Sequence, residues 1–119
     1  IQYALSWPNH IETHIEPINL AEIGKLTFEA PDTTRLPNLK LAFEALKKGG
    51  NKACLLNAAN EIAVQAFLDG KIQFADISII NAQVMNAIEF QKPSTIEDYI
   101  ENDKIAREMA IEQINKLKL

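Results

Sequence analysis

Lys52-Ala-Cys-Leu-Leu-Asn-Ala-Ala-Asn-Glu-Ile-Ala-Val-Gln-Ala-Phe-Leu-Asp69 is the stretch on which the fold turns. No glycine or proline interrupts it, and alanine and leucine favour the helix. Leu55, Ala59, Ile62, Ala63, Ala66 and Phe67 recur at the i, i+3, i+4 spacing of one helical face. The spacing predicts a helix over about 52–69 that buries this face and closes at Gly70. Upstream, Pro37 suits a first helical position and Leu39, Ala42, Phe43 and Leu46 mark a second such face. Gly49-Gly50 then stops that helix in a left-handed C-terminal conformation. Downstream, a third helix is predicted over about 76–90, with Asp76 as N-cap and Ile77, Ile80, Val84 and Ile88 on one stripe. Pro93 breaks the chain, and Ser94-Thr-Ile-Glu97 has the spacing of a capping box. It opens a last helix, expected to run to Leu119 with a break near Asn102-Asp103. Ile105, Met109, Ile114 and Leu117 form its core face, and Lys116 and Lys118 suit its negative end. The predicted class is mainly α: four helices with short connections over 37–119 make a small antiparallel bundle.

Residues 1–36 read differently. They hold Pro8, Pro17 and Pro31, and Trp7 stands before a proline, where the α region is disfavoured. Ile1 to Trp7 is read as the last turns of a helix, and Asn9 to Leu20 as a connecting strap. Leu26, Phe28 and Ala30 alternate with Lys25, Thr27 and Glu29, the period of one short half-buried strand that Pro31 ends. An extended arm with one short strand therefore precedes the helical domain.

Composition narrows the function. The 119 residues are 47% hydrophobic and 24% charged, as expected of one small globular domain. Twelve Lys and Arg against sixteen Asp and Glu leave a net charge of −4, a poor match to nucleic acid or an anionic membrane. The single cysteine, Cys54, excludes an internal disulfide and a multi-cysteine zinc site, and fits a reducing compartment. The chain starts at Ile1 with no methionine or signal-like segment, which reads as a piece of something longer.

The residues themselves declare no active site. His10 and His14 are four apart, with Glu12 and Glu16 interleaved, but Pro8 and Pro17 bracket them and argue against the helix a zinc pair needs. Cys54 has no triad partner in its own element and reads as a small buried hydrophobe. Lys47-Lys-Gly-Gly-Asn-Lys52 precedes a helix N-terminus that can bind an anion, yet it lacks the full nucleotide-loop pattern. Glu97, Asp98, Glu101 and Asp103 gather at a helix start, where the helix dipole already favours them. Met85 and Met109 read as core fillers. Asn57-Ala-Ala-Asn60-Glu61 is the odd feature: two amides and a carboxylate crowd one side of an alanine-rich helix, and asparagine is a mediocre helix former. It is expected to tie the helix to backbone of another element, the strap around Leu20 to Leu26.

Leu56-Asn-Ala-Ala-Asn-Glu-Ile-Ala-Val-Gln-Ala-Phe-Leu68 closely resembles a signature stretch of the 1-deoxy-D-xylulose 5-phosphate reductoisomerases. Ser6-Trp-Pro-Asn9, Leu26-Thr-Phe-Glu-Ala-Pro-Asp32, Leu36-Pro-Asn-Leu-Lys-Leu-Ala42, Phe74-Ala-Asp-Ile77 and Ala106-Arg-Glu-Met-Ala110 extend the likeness over essentially the whole chain, in order. One departure is His10, where the family pattern has arginine. The resemblance implies the C-terminal part of such an enzyme: the end of the catalytic domain and a strap over 1–36, then a helical domain over 37–119. It implies a parent that makes 2-C-methyl-D-erythritol 4-phosphate with NADPH and a divalent cation (Mg²⁺, Mn²⁺ or Co²⁺), as a homodimer in the bacterial cytoplasm. The family's metal carboxylates, phosphate ligands and nucleotide-binding glycines all precede the part resembled. The expectation is therefore no catalytic, cofactor-binding or metal-binding residue in this chain, whose partners are the missing upstream domains. The alternative is a self-associating helical interaction domain, driven by the apolar residues Ile1, Tyr3, Leu5 and Trp7.

Overall fold

The computed structural model describes residues 1–117. It is mainly helical, with six helices in order: α1 (Gln2–Ser6), α2 (Leu20–Ile23), α3 (Pro37–Lys48), α4 (Lys52–Leu68), α5 (Phe74–Ala87) and α6 (Ile96–Leu117). No helix among the described residues is long and apolar enough to cross a membrane. The chain divides into two units, Ile1–Ala30 and the part from Pro31 onward.

In the first unit α1 ends at Trp7, whose extended ψ of 134° begins the turn into Pro8. Ser6 Oγ donates to Asn9 O at 2.7 Å, and Gln2 Nε2 donates to Ile11 O. Leu20–Ile23, at the end of the expected strap, forms the single turn α2, capped by Asn19 Oδ1 accepting from the Ala21 N–H at 3.1 Å. Leu26 to Ala30 does not form the expected strand, and no strand occurs among the described residues. Period-2 alternation needs a neighbouring strand to receive its hydrogen bonds, and none is there.

In the second unit α4 lies at the centre, packed against α3, α5 and α6. Its Leu55, Ala58, Ala59, Ala63 and Ala66 join Ile77, Ile80 and Val84 of α5 and Ala106, Ala110 and Ile114 of α6 in one buried cluster. Alanines on both α4 and α6 let the two helices approach closely, since interaxial distance is set by the side chains at the contact. Four of the six residues expected to face inward on α4 do so. Ile62 is only partly buried, and Phe67 sits 37% exposed, edge-on to Phe74 at 5.7 Å.

α5 and its C-cap bury the expected stripe of Ile77, Ile80, Val84 and Ile88, whereas α3 and α6 depart further from their expected phases. On α3, Ala45 is buried while Phe43 and Leu46 are 55% and 79% exposed, so its strongest apolar stripe faces away from the core. On α6 the buried line is Asn102, Ala106, Ala110 and Ile114. Ile105 and Leu117 are exposed, and the expected break at Asn102-Asp103 is continuous helix. Asn102 Nδ2 donates to the Asp98 carbonyl one turn back, at 2.8 Å, without interrupting the helix. In both helices alanines fill the tight seam, and Phe43, Leu46, Ile105 and Leu117 are left outside it.

Caps also shift by a few residues. Gln73, not Asp76, is the N-cap of α5; Asp76 sits at the third position and its Oδ2 accepts from the Gln73 N–H at 2.7 Å. That helix ends at Ala87, before the expected Phe90. The α6 cap falls on Thr95 and Asp98 in place of Ser94 and Glu97: Asp98 N donates to Thr95 Oγ1 at 3.2 Å, and Thr95 N to Asp98 Oδ2 at 3.0 Å. Gly49 has φ +68° with ψ −149°, an extended mirror conformation instead of the left-handed helical one, while Gly50 has φ +56°. Lys118 and Leu119, expected to end α6, lie outside the described residues.

Candidate functional site

The Asn57–Asn60–Glu61 motif lies on α4 where α3, α5 and α6 converge around it. Asn60 Oδ1 accepts from Asn81 Nδ2 of α5 at 3.0 Å, and the same nitrogen donates to Asn38 Oδ1 of α3, also at 3.0 Å. One buried amide thus joins three helices. The expected tie is real, but its partner is the Asn81 side chain and not a backbone group of the strap. Asn57 Nδ2 instead donates along its own helix to Glu61 Oε1 at 3.2 Å.

Glu61 continues the motif to α6. Its Oε2 accepts from Arg107 Nη2 at 2.6 Å, and Arg107 also pairs through Nε with Asp103 Oδ2 at 2.6 Å. Hydrogen bonding to Arg107, then its charge and the Asn57 amide, hold the Glu61 carboxyl below its ordinary range. Two carboxylates in turn keep Arg107 firmly protonated. This cluster of two carboxylates on one guanidinium links α4 to α6.

Sequence reasoning missed a second polar cluster at the other end of α4. Asn51, fully buried, donates through Nδ2 to Glu89 O at 2.9 Å and to Asn102 Oδ1 at 2.8 Å, and its Oδ1 accepts from the Gln91 N–H at 3.2 Å. Lys52, 6% exposed, donates from Nζ to Met85 O at 2.7 Å and Ile88 O at 2.9 Å, the last carbonyls of α5. Burial, and then Lys48 nearby, pushes the Lys52 pKa down. The one signal in the sequence was the lysine standing in an otherwise apolar helix start.

The remaining candidates separate. His10 stacks on Tyr3 at 4.7 Å, outside any helix, so the helical histidine pair does not form. In the Lys47–Lys52 loop the Asn51 and Lys52 N–H groups are taken by Gln91 O and Gly49 O, and the Lys52 ammonium is turned onto α5; this loop is not an anion cradle. Cys54 is half-buried, with Sγ 3.5 Å from Tyr99 O. Burial and then Asp103 push its thiol up, against the pull of Arg107, which makes it a poor nucleophile. Asp98 is committed to the α6 cap and Asp103 to Arg107, so neither belongs to a carboxylate pair with Glu97 or Glu101. Met85 is buried and Met109 partly so.

No group of three His, Cys, Asp or Glu among the described residues is placed to hold an ion, and no strand leads into a glycine-rich turn. What the geometry defines is a helical domain pinned by buried amides and by the Glu61–Arg107–Asp103 ion cluster.

The chain belongs to the family of DXP reductoisomerase C-terminal domains, whose profile matches residues 1–109. It is 53% identical over 110 residues to the 1-deoxy-D-xylulose 5-phosphate reductoisomerase of Pelodictyon phaeoclathratiforme, covering 92% of this chain and 29% of that protein. The Shewanella piezotolerans enzyme is 46% identical over 118 residues, covering 99% and 30%. Among solved structures, the Zymomonas mobilis enzyme in complex with NADPH aligns at TM-score 0.85 and 41% identity, over 95% of this chain and 30% of that one. A DOX-P reductoisomerase in complex with magnesium aligns at TM-score 0.83 and 34% identity, over 99% and 32%. The chain thus spans about 30% of the length of the relatives it matches.

Proposed function

We propose that this chain is the C-terminal supporting part of a longer bacterial enzyme. The parent rearranges and reduces 1-deoxy-D-xylulose 5-phosphate to 2-C-methyl-D-erythritol 4-phosphate with NADPH and a divalent cation, in non-mevalonate isoprenoid synthesis. The observation that carries this reading is the match of residues 1–109 to the C-terminal domain alone, beside relatives more than three times as long. On this reading residues 1–36 end the catalytic domain and strap across to an antiparallel four-helix bundle over 37–119. So read, the bundle carries no catalytic group: the charged side chains beside the Asn57–Glu61 motif are committed to one another in the Arg107 cluster. We assign the parent to the cytoplasm as a homodimer, an assignment that rests on the family resemblance.

The test compares the purified 119-residue chain with the same chain joined to its natural upstream polypeptide. Each is mixed with the sugar phosphate, NADPH and Mg²⁺ or Mn²⁺, and absorbance is followed at about 340 nm, where reduced nicotinamide absorbs. The long form should consume NADPH and the short chain should not. Steady substrate-dependent consumption by the pure short chain, or none by the long form, overturns the proposal.

A further inference from the structure

A cleft of about 410 Å³ opens between α3 and α4. Ala42 and Leu46 of α3 and Leu56 of α4 are its apolar walls, and Asn38, Asn60 and Asn81 line it as well. Asn81 is fully buried, and its Oδ1 has no partner among the described residues. Turning that amide over does not cure the fault. Asn38 and Asn60 both meet the same end of Asn81, so one end stays orphaned either way. An orphaned buried amide group is costly, and it marks the floor of this cleft as a polar site short of a partner. The outer ends of the neighbouring amides, Asn38 Nδ2, Asn60 Nδ2 and Asn57 Oδ1, also make no hydrogen bond among the described residues.

We infer that this cleft seats an extended main-chain segment from the upstream part of the same polypeptide; the inference rests on the function proposed above. Three features select that occupant. The cleft presents both amide donors and amide acceptors and no charged residue, which matches the alternating N–H and C=O of neutral main chain and supplies no countercharge for an ion. Its apolar wall continues onto the exposed stripe of α3, where Leu46 is 79% and Phe43 55% exposed, a face with helical periodicity but no cover of its own. Finally, relatives of this chain carry about 70% of their length beyond the part it matches. A segment tethered in the same chain acts at an effective concentration near millimolar, so a shallow, uncharged cleft holds it where a free peptide is released.

The experiment is thiol footprinting in a Cys54→Ala background. Leu46→Cys in the cleft and Glu112→Cys, exposed on α6, are reacted with a maleimide in the 119-residue chain and in the long form. Labelling at position 46 should be about tenfold slower in the long form, with position 112 equal in both, as expected when one site is covered and the other is not. Equal rates at position 46 overturn the inference. So does protection in the short chain alone that grows with its concentration, because a second copy is then the occupant. Leu46→Glu supplies the second variant. Because the side chain is exposed, it should leave the melting point of the short chain unchanged, yet restore full labelling of Ala42→Cys in the long form. Continued protection there also counts against the inference. NADPH consumption by the long form is measured in parallel: an active long form with an unprotected cleft refutes the docking and spares the proposed function.

Discussion

Gly50→Ala is expected to be among the most damaging small substitutions in the chain. A Cβ at position 50 meets Gln91 O at 2.2 Å and the Phe90 ring at 2.6 and 2.8 Å, and the first of these is backbone that has little freedom to retreat. The residue also has φ +56°, which costs an L-amino acid about 1–2 kcal/mol. Moving Gln91 strains the Asn51 N–H to Gln91 O bond (3.0 Å) and the return bond from the Gln91 N–H to Asn51 Oδ1 (3.2 Å). Overpacking of this kind costs about 1–3 kcal/mol. Gly70→Ala is the control: φ is +69°, but nothing lies within 4 Å of the added carbon. Both variants gain about 0.4–1 kcal/mol from a stiffer unfolded chain. The difference between them therefore isolates the clash and should be about 1–3 kcal/mol. Urea unfolding followed by far-ultraviolet circular dichroism measures it, with midpoints compared at equal m-values. If the two variants differ by less than about 0.5 kcal/mol, the close approach of the α3–α4 turn to Gln91 is wrong.

Two further outcomes follow from the polar groups. Lys52→Met keeps most of the volume but strips two donors from the Met85 and Ile88 carbonyls; it should destabilise by about 1–3 kcal/mol in the same assay, and a neutral result would remove Lys52 as the cap of α5. The Ser94 and then Thr95 N–H groups hold Asp98 below its ordinary value of 3.8. A carboxyl depressed by folding stabilises fully above its unfolded pKa and loses that contribution as pH falls through the folded value. Stability should therefore decline below about pH 4, and Asp98→Asn should flatten the decline; unchanged slopes in urea titrations between neutral and acid pH would show the cap to be irrelevant.

What the sequence determined by itself is local. Helix periods, the helix start at Pro37 and the stops at Gly49-Gly50 and Gly70 are written in nearest-neighbour chemistry, so α3 and α4 begin and end within a residue or so of the reading. The motif Asn57-Ala-Ala-Asn60-Glu61 was visible as an anomaly for the same reason, because amides sit badly in an alanine-rich helix. The buried stripe of α5 was legible in the same way, but which face α3 and α6 bury was decided by tertiary structure. Periodicity weighs residues by their hydrophobicity, and so it picked Phe43 and Leu46 on α3 and Ile105 and Leu117 on α6. Close packing weighs them by fit, and the seams went to Ala45 and to Ala106 and Ala110. The buried amides Asn51, Asn81 and Asn102 could not be read from the sequence at all. Each has a partner 21 to 51 residues away, and a polar group is buried where such a partner is brought to it.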